Sequence, residues 1–290
     1  MQYVTTLVAA RATTTLDPAI VERVRAAVDG AAPRWLSPGE AADIACPALP
    51  DLAALRGLLG PAPIDLFAMP VAGRRRALLI ADMDSTIVVG ETLDELADEA
   101  GLKPAIAAIT ARSMNGEIDF PTALRERVAM LRGLELAALE RTWARTRLMP
   151  GARTLVATMR AHGATTALVS GGFTFFTSRV AALCGFDLHR SNILLDDGAR
   201  LTGAVAEPIL DRDAKLAELL ALAATHPDGT AAALAIGDGA NDLAMITKAG
   251  LGIAYHAKPV VAAAASQLII HADLRAALFA QGYHTDEFVS

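Results

Sequence analysis

The stretch LLIADMDSTIVVGE, residues 78–91, joins a run of apolar residues to a pair of carboxylates. The apolar run predicts a buried β-strand, and Asp82 and Asp84 follow it two positions apart. Because residues two apart in an extended chain point to the same face, we expect both acidic side chains to share one site. Two like charges in a dry site repel each other unless a cation lies close to them. The stretch therefore predicts both a strand and a charged site at its end.

Strands alternate with helices from residue 77 onward, which predicts a parallel sheet with helical crossovers. The predicted strands are residues 77–84, 165–172, 232–239, 251–255 and 267–272. Residues 91–149 interrupt this alternation with a charged, almost entirely helical pattern, which we interpret as a small cap. In the segment NILLDDGARLTGAV, residues 192–205, the pair Asp197 and Gly198 predicts a hairpin turn.

The first seventy residues form a pattern of their own. Strand, helix, two strands, helix and strand follow one another, and Asp17 is the predicted N-cap of the first helix. This order predicts a ferredoxin-like α+β domain over residues 1–72. The remaining residues, 73–290, are predicted as a Rossmann-like α/β domain with a core of 73–90 and 150–290 and a helical cap of 91–149.

Composition excludes several classes of protein. The 290 residues are 53% hydrophobic and 20% charged with a formal net charge of −6, which indicates a globular chain with an ample core. The one basic block, residues 74–76, is typical of a solvated edge, so we expect no nucleic-acid partner. The uncharged stretch 161–178 is broken by glycines, so we expect no membrane segment. Cys46 and Cys184 are predicted as buried free thiols, and the N-terminus as a first strand, which favours the cytoplasm.

Three of the predicted strands end in polar turns with the sequences DMDST, VSGG and GDGAND. Because ligands bind at the carboxyl ends of strands in open parallel sheets, we expect these turns to converge. The converging side chains are those of Asp82, Asp84, Ser170, Asp238 and Asp242. Oxygen ligands without nearby Cys or His favour Mg²⁺. For Asp242 alone, a role as a turn former or helix N-cap stays open.

Together with the lysine in RDAKLAELL, these motifs resemble the haloacid dehalogenase-type phosphohydrolases over residues 77–290. That family has DxDx[T/V], a Ser or Thr ending the second strand, a Lys and then GDxxxD, and all four occur here in order. Within the family the motifs are most similar to those of phosphoserine phosphatases. By element order alone, the first domain resembles the ACT domains that precede many of them.

The resemblance implies a role for each carboxylate. It implies that Asp82 is the nucleophile that forms an aspartyl-phosphate, and that Asp84 is the general acid and base. It further implies that Asp82, the backbone carbonyl of Asp84, and Asp238 bind Mg²⁺. By the same resemblance, Asn241 and Asp242 hold the waters of the metal and the phosphate site in place.

The resemblance also implies which groups bind the phosphate. They are the Ser170 hydroxyl, the amides of Gly171 and Met83, and the ammonium of Lys215, which neutralises phosphoryl charge.

Four residues of the predicted cap match those that bind the amino-acid part of phosphoserine in the family. The resemblance implies that Glu91 binds the ammonium, that Arg127 binds the carboxylate as a bidentate pair, and that Met114 and Phe120 close over the substrate. Taken without the resemblance, these residues would be ordinary: Glu91 a first-turn helix charge, Arg127 an ion pair with Glu126 or its neighbours, and Met114 and Phe120 part of the core.

The function implied by the resemblance is Mg²⁺-dependent hydrolysis of O-phospho-L-serine to L-serine and phosphate, the final step of serine biosynthesis. The alternative is a related phosphatase that acts on another small phosphorylated metabolite, such as phosphothreonine or a sugar phosphate. The ACT-like domain implies binding of amino acids or pairing of subunits into a homodimer.

Overall fold

Residues 1–70 form a small antiparallel sheet with two helices in this computed structural model, which describes residues 1–114 and 117–290. The elements are β1 (Tyr3–Ala9), α1 (Pro18–Ala27), β2 (Arg34–Ser37), β3 (Ala41–Cys46), α2 (Leu52–Leu59) and β4 (Ile64–Pro70). The strands lie in the order β2-β3-β1-β4. This order confirms the predicted ferredoxin-like domain. Asp17 caps α1 as predicted, because its side chain accepts a hydrogen bond from the Ala19 amide.

A six-stranded parallel sheet forms the body of the rest of the chain. Its strands are β5 (Leu78–Ala81), β6 (Thr165–Phe173), β7 (Leu188–Asn192), β10 (Ala233–Gly237), β11 (Leu251–Tyr255) and β12 (Gln267–Ile269). They lie in the order β12-β11-β10-β5-β6-β7, which confirms the Rossmann-like prediction. The sequence pattern does not predict β7, because this edge strand has the polar sequence LHRSN and lacks an apolar run.

Helices connect and cover the strands of this sheet. They are α7 (Ala152–Ala161), α8 (Thr174–Cys184), α9 (Arg212–Ala223), α10 (Leu243–Lys248), α11 (Pro259–Ala264) and α12 (Ala276–Ala280). The predicted hairpin is also present as β8 (Leu194–Asp196) and β9 (Leu201–Val205). Asp197 stabilises its turn by accepting hydrogen bonds from the amides of Ala199 and Arg200.

The cap consists of helices, as predicted. Its described elements are α3 (Thr92–Glu99), α4 (Lys103–Met114), α5 (Phe120–Met130) and α6 (Ala137–Arg145). The chain segments that enter and leave the cap are hydrogen-bonded side by side: the Val89 amide donates to Arg147 O and the Met149 amide to Ile87 O, both at 2.8 Å. The cap is therefore joined to the sheet through a paired neck.

The small sheet buries both of its faces, and only one of them faces its own helices. Leu7 of β1 packs in a cluster with α1 and α2, whereas Val4 and Val8, on the opposite face, belong to the large core that includes Leu79 and Phe279. This alternation follows from the two-residue period of a strand. The first domain thus shares a hydrophobic core with the second, although the sequence pattern suggested a separate unit.

Arg74 fastens the two domains together. Its guanidinium donates to both carboxylate oxygens of Asp43, at 2.6 and 2.8 Å, to the Thr6 hydroxyl, and to the carbonyls of Phe279 and Ala280. The Arg74 and Asp43 side chains are only 8% and 5% exposed. The expectation that residues 74–76 form a solvated edge is therefore wrong for Arg74, because its partners are buried residues of both domains.

Two further contacts close the interface between the domains. The buried carboxylate of Asp65, on β4, accepts hydrogen bonds from the amides of Ile270, His271 and Ala272. The side-chain amide of Gln267 pairs with both backbone groups of Ala68, so it continues the hydrogen bonding of the edge strand β4. The interface consequently leaves these buried polar groups satisfied.

Cys46 and Cys184 are buried free thiols, as predicted. Each helix in the described part of the chain is too short or too polar to span a lipid bilayer.

We expect Arg74→Met to lower the free energy of unfolding by about 3–5 kcal/mol, because it leaves the buried Asp43 carboxylate without its main partner. Arg34→Met is the matched control: Arg34 binds the same carboxylate at 3.1 Å, but its side chain is 60% exposed. Its loss should cost less than about 1 kcal/mol. Urea unfolding of both variants measures the difference, and equal losses would contradict the proposed importance of the buried pair.

Candidate active site

The polar turns meet at the carboxyl edge of the central strands. Asp82 follows β5, Asp238 follows β10 and Ser170 lies in β6, and β5 is hydrogen-bonded to both neighbouring strands. All three side chains are buried. One carboxylate oxygen each from Asp82, Asp238 and Asp242 can be chosen so that all three lie within 4.8 Å of one another. The structure therefore brings the predicted acidic residues into one cluster.

Lys215 lies inside this cluster. Its side chain, from α9, is 1% exposed, and its ammonium lies 2.7 Å from Asp82 Oδ1 and 2.6 Å from Asp242 Oδ1. Burial alone would lower the pKa of Lys215, but the carboxylates of Asp242 and Asp82 raise it above its usual range. Lys215 is thus a fixed positive charge at all ordinary pH values.

One ammonium does not neutralise the whole cluster. Burial, with a further contribution from the charge of Asp242, raises the pKa of Asp82 well above its usual range, although Lys215 acts in the opposite direction. Burial and the same neighbour raise the pKa of Asp238 to about 6. A group of carboxylates with raised pKa values favours a bound cation.

The donor set fits a hard divalent cation. Asp242 is already engaged through both oxygens, since Oδ1 accepts from Lys215 and Oδ2 accepts from the Gly239 amide at 3.0 Å. The side-chain hydrogen bonds described for Asp82 all go to Oδ1, and Thr86 donates to Asp238 Oδ1. Asp82 and Asp238 therefore keep carboxylate oxygens for a cation that prefers oxygen ligands.

Two glycines of the GDGAND turn allow the chain to approach itself closely. A Cβ atom at Gly237 would lie 2.4 Å from Asp242 Cγ, and one at Gly239 would lie 2.3 Å from Asn241 Oδ1. At Gly237 the contact also includes Asp242 Cβ, at 2.6 Å, so a side chain there would displace Asp242 and the glycine permits its buried position. The sequence pattern gives these glycines as part of the motif, and the structure gives the steric reason.

Asp84 is half-buried beside the cluster. Its Oδ1 accepts a hydrogen bond from the Thr92 amide at 2.9 Å. Burial and the nearby charge of Glu91 raise the pKa of Asp84 to about 7. A Cβ atom at Gly172 would lie 3.0 Å from Asp84 Oδ2 and 3.1 Å from Ser170 Oγ, so a side chain there would press on both groups.

A single cavity of about 130 Å³ is lined by the acidic residues and by residues of the cap. The predicted site residues that line it are Asp82, Asp84, Glu91, Phe120, Arg127, Ser170, Gly171, Asp238 and Asn241. Lys215 lines a neighbouring cavity that shares Phe120, Gly171 and Asn241. The side chain of Met114 lies outside the described residues.

Arg127 does not form the surface ion pair considered as its ordinary role. Glu126 pairs with Arg112 at 2.9 Å instead, and the hydrogen bond described for the Arg127 guanidinium goes to the backbone carbonyl of Ala123. Burial lowers the pKa of Arg127, and the charges of Asp94 and Glu91 oppose that shift. Within the described part of the chain, Arg127 therefore presents a partly desolvated cation to the cavity without an acidic ion-pair partner.

Some contacts differ from the predicted roles, and some lining residues were not predicted. The Met83 amide donates to Asp82 Oδ1 at 2.8 Å, and the Ser170 hydroxyl accepts from the Gly172 amide. Gly172 and Lys258 also line the cavity. Gly172 is the second glycine of the VSGG motif, so the sequence could have indicated it. The exposed Lys258 lies far along the sequence and belongs to no motif that could have indicated it.

We expect Lys215→Met to lower the free energy of unfolding by about 3 kcal/mol or more, because it leaves Asp82 and Asp242 buried without their cation. Lys248→Met, at the exposed end of α10, is the control and should change stability by less than about 0.5 kcal/mol. Urea unfolding in EDTA measures both. An unchanged stability of Lys215→Met would contradict the assignment of Lys215 as the internal counter-charge.

Comparisons with known proteins agree with this geometry. A family model described as haloacid dehalogenase-like hydrolase matches residues 79–247. A phosphoserine phosphatase from Archaeoglobus fulgidus is 41% identical over 200 residues, which cover 68% of this chain and 58% of that relative. The matched segment thus spans little more than half the length of that relative.

Two solved structures extend the similarity to the fold. A haloacid dehalogenase-family hydrolase from Salmonella enterica serovar Typhi has a TM-score of 0.85 and 32% identity, covering 96% of this chain and 98% of the other. A phospho-aspartyl intermediate analogue of phosphoserine phosphatase has a TM-score of 0.65 and 35% identity, covering 71% and 98%. The family predicted from the motifs is confirmed: this chain belongs to the haloacid dehalogenase-like hydrolase family.

Proposed function

We propose that the chain is a Mg²⁺-dependent phosphatase that hydrolyses O-phospho-L-serine to L-serine and phosphate, the last step of serine biosynthesis. The observation that carries this proposal is that one cavity is lined both by Asp82, Asp84 and Asp238 and by Glu91 and Arg127. The first group suits phosphoryl transfer, and the second offers one charge of each sign to an amino acid. The relative from Archaeoglobus fulgidus and the phospho-aspartyl intermediate analogue, which are both phosphoserine phosphatases, support the same substrate.

The proposed chemistry proceeds in two displacements. Asp82 attacks phosphorus while the bond to the serine oxygen breaks, and Asp84 donates its proton to that oxygen. Asp84 then takes a proton from a water molecule, which attacks the aspartyl-phosphate, releases phosphate and restores Asp82. A pKa of about 7 for Asp84 suits a group that must both give and accept a proton near neutral pH.

Binding of the phosphate is assigned to polar groups around Asp82. Ser170, the amides of Gly171 and Met83, and Lys215 are proposed to contact phosphoryl oxygens, and Asn241 lines the same space. Mg²⁺, held by Asp82, the backbone carbonyl of Asp84, and Asp238, would neutralise phosphoryl charge when bound. Asp242 is proposed to hold Lys215 in place and not to bind the metal, because both of its oxygens are engaged.

Substrate selection is assigned to the cap. Glu91 is proposed to bind the substrate ammonium, Arg127 the carboxylate, and Phe120 and Met114 to cover the bound amino acid. Phe120 lines the cavity, and its ring would lie 3.1 Å from a Cβ atom at Gly171, so the ring packs directly against the proposed phosphate loop. The cap also excludes water from the reacting groups when it is closed.

The domain boundaries and the cellular compartment of the reaction are also proposals. We divide the chain into 1–72 and 73–290, with a core of 73–90 and 150–290 and a cap of 91–149. Two buried free thiols favour the reducing cytoplasm. Pairing of subunits and amino-acid binding through the ACT-like domain stay predictions. Deletion of residues 1–72 is a poor test of them, because it exposes a shared core.

The test of the proposed function is phosphate release from O-phospho-L-serine with Mg²⁺, with EDTA, and with the Asp82→Asn variant. We expect rapid release with Mg²⁺ and its loss in the other two reactions. A panel of sugar phosphates and O-phospho-L-threonine accompanies it. Metal-dependent release from sugar phosphates alone would keep the chemistry and contradict the proposed substrate.

We expect Arg127→Lys to lower kcat/KM for O-phospho-L-serine by about 10- to 100-fold, because lysine cannot form the bidentate pair with the substrate carboxylate. For p-nitrophenyl phosphate, which has no carboxylate, the change should stay within about threefold. Arg125→Lys is the control, since Arg125 lies on the same helix and pairs with Glu207 in an exposed ion pair. Equal losses on both substrates would contradict the role of Arg127 in selecting the substrate.

A further inference from the structure

Ser85 has a backbone conformation that serine rarely adopts. Its φ is 55°, in the left-handed region that glycine occupies without steric cost. The residue directly follows Asp84, and its amide donates to Gly90 O at 2.9 Å, which closes the loop of residues 85–90. Glycine would fit this backbone more easily than serine. The presence of serine at this position therefore points to a role for its side chain.

The side chain of Ser85 contacts Glu91. The Ser85 hydroxyl donates to Glu91 Oε1 at 2.8 Å. Glu91 is the N-cap residue of α3, yet its side chain makes no capping hydrogen bond. The loop closed by Ser85 and Gly90 brings the two side chains together, and the hydroxyl takes the place of the helix amides as the partner of the carboxylate.

The contact restricts a side chain that would otherwise be mobile. Glu91 is exposed at the cavity and lines it, and an exposed glutamate loses much rotamer freedom when a ligand fixes it. A hydrogen bond from Ser85 to Oε1 fixes the carboxylate beforehand. Among the described residues, the side-chain hydrogen bond to Glu91 uses Oε1, which leaves Oε2 for a cationic group in the cavity.

We propose that Ser85 is a positioning residue that holds the Glu91 carboxylate ready for the ammonium group of the substrate. This inference rests on the proposed function, and it deepens the assignment of substrate selection. Ser85 thereby contributes to the preference for phosphorylated amino acids over phosphate esters without an ammonium group. It has no part in the displacement at phosphorus.

Two variants remove the hydroxyl with different effects on the backbone. Ser85→Ala keeps the Cβ atom at the positive φ, whereas Ser85→Gly relieves the strain and remains foldable if the alanine variant does not fold. We expect both variants to raise KM for O-phospho-L-serine about three- to tenfold with kcat changed less than about twofold, because the substrate must now order Glu91 itself. For 3-phosphoglycerate and p-nitrophenyl phosphate, which lack an ammonium group, both constants should stay within about twofold of the wild type.

A double-mutant cycle identifies the residue through which Ser85 acts. In a Glu91→Ala background, Ser85→Gly should have no further effect on KM for O-phospho-L-serine. An additional rise of the same size in that background would overturn the inference, as would a wild-type KM in Ser85→Gly. A wild-type enzyme without preference for O-phospho-L-serine over 3-phosphoglycerate would overturn the proposed function and this inference together. A preference that is present in the wild type and undiminished in both Ser85 variants would overturn the inference alone.

Discussion

A buried ammonium group between two buried carboxylates is the constraint on which the candidate active site depends. Burial of the Asp82 and Asp242 carboxylates is costly, and the positive charge of Lys215 between them offsets that cost. The arrangement also requires Gly237, because any larger residue would meet the Asp242 side chain. The strand ends, the glycine turns and the lysine helix are therefore parts of one electrostatic arrangement, and its remaining carboxylate charge favours a cation.

The groups proposed for phosphoryl transfer and those proposed for substrate selection lie on different parts of the fold. Asp82, Ser170 and Asp238 extend from neighbouring strands of a sheet that is buried on both faces, which fixes the groups proposed for phosphoryl transfer. The groups proposed for substrate selection lie on the cap and on the loop that leads into it. The neck between them is paired by backbone hydrogen bonds, so the cap has a defined attachment. This division lets one chemistry serve different substrates within the family.

Short sequence motifs were sufficient to predict the strand ends and the acidic cluster. DMDST, VSGG and GDGAND end apolar strands, and the rule that such ends meet at one edge predicted the acidic cluster. The edge strand β7 was missed, because it is too polar to show a strand pattern. The burial of Arg74 could not be predicted from a run of arginines, since its partners lie between 31 and 206 positions away. The shared core of the two domains could not be predicted either. The alternating pattern of a strand shows that a face of the sheet is buried, but it does not show which element covers that face.

The most direct test of the account is to trap the intermediate. The wild-type protein is mixed with Mg²⁺ and O-phospho-L-serine labelled at phosphorus, quenched with acid during turnover, and digested for mass spectrometry. We expect an acyl-phosphate on the peptide that contains Asp82, labile to hydroxylamine and absent from Asp82→Asn. Release of labelled phosphate without label on Asp82, or label on another residue, would contradict the assignment of Asp82 as the nucleophile.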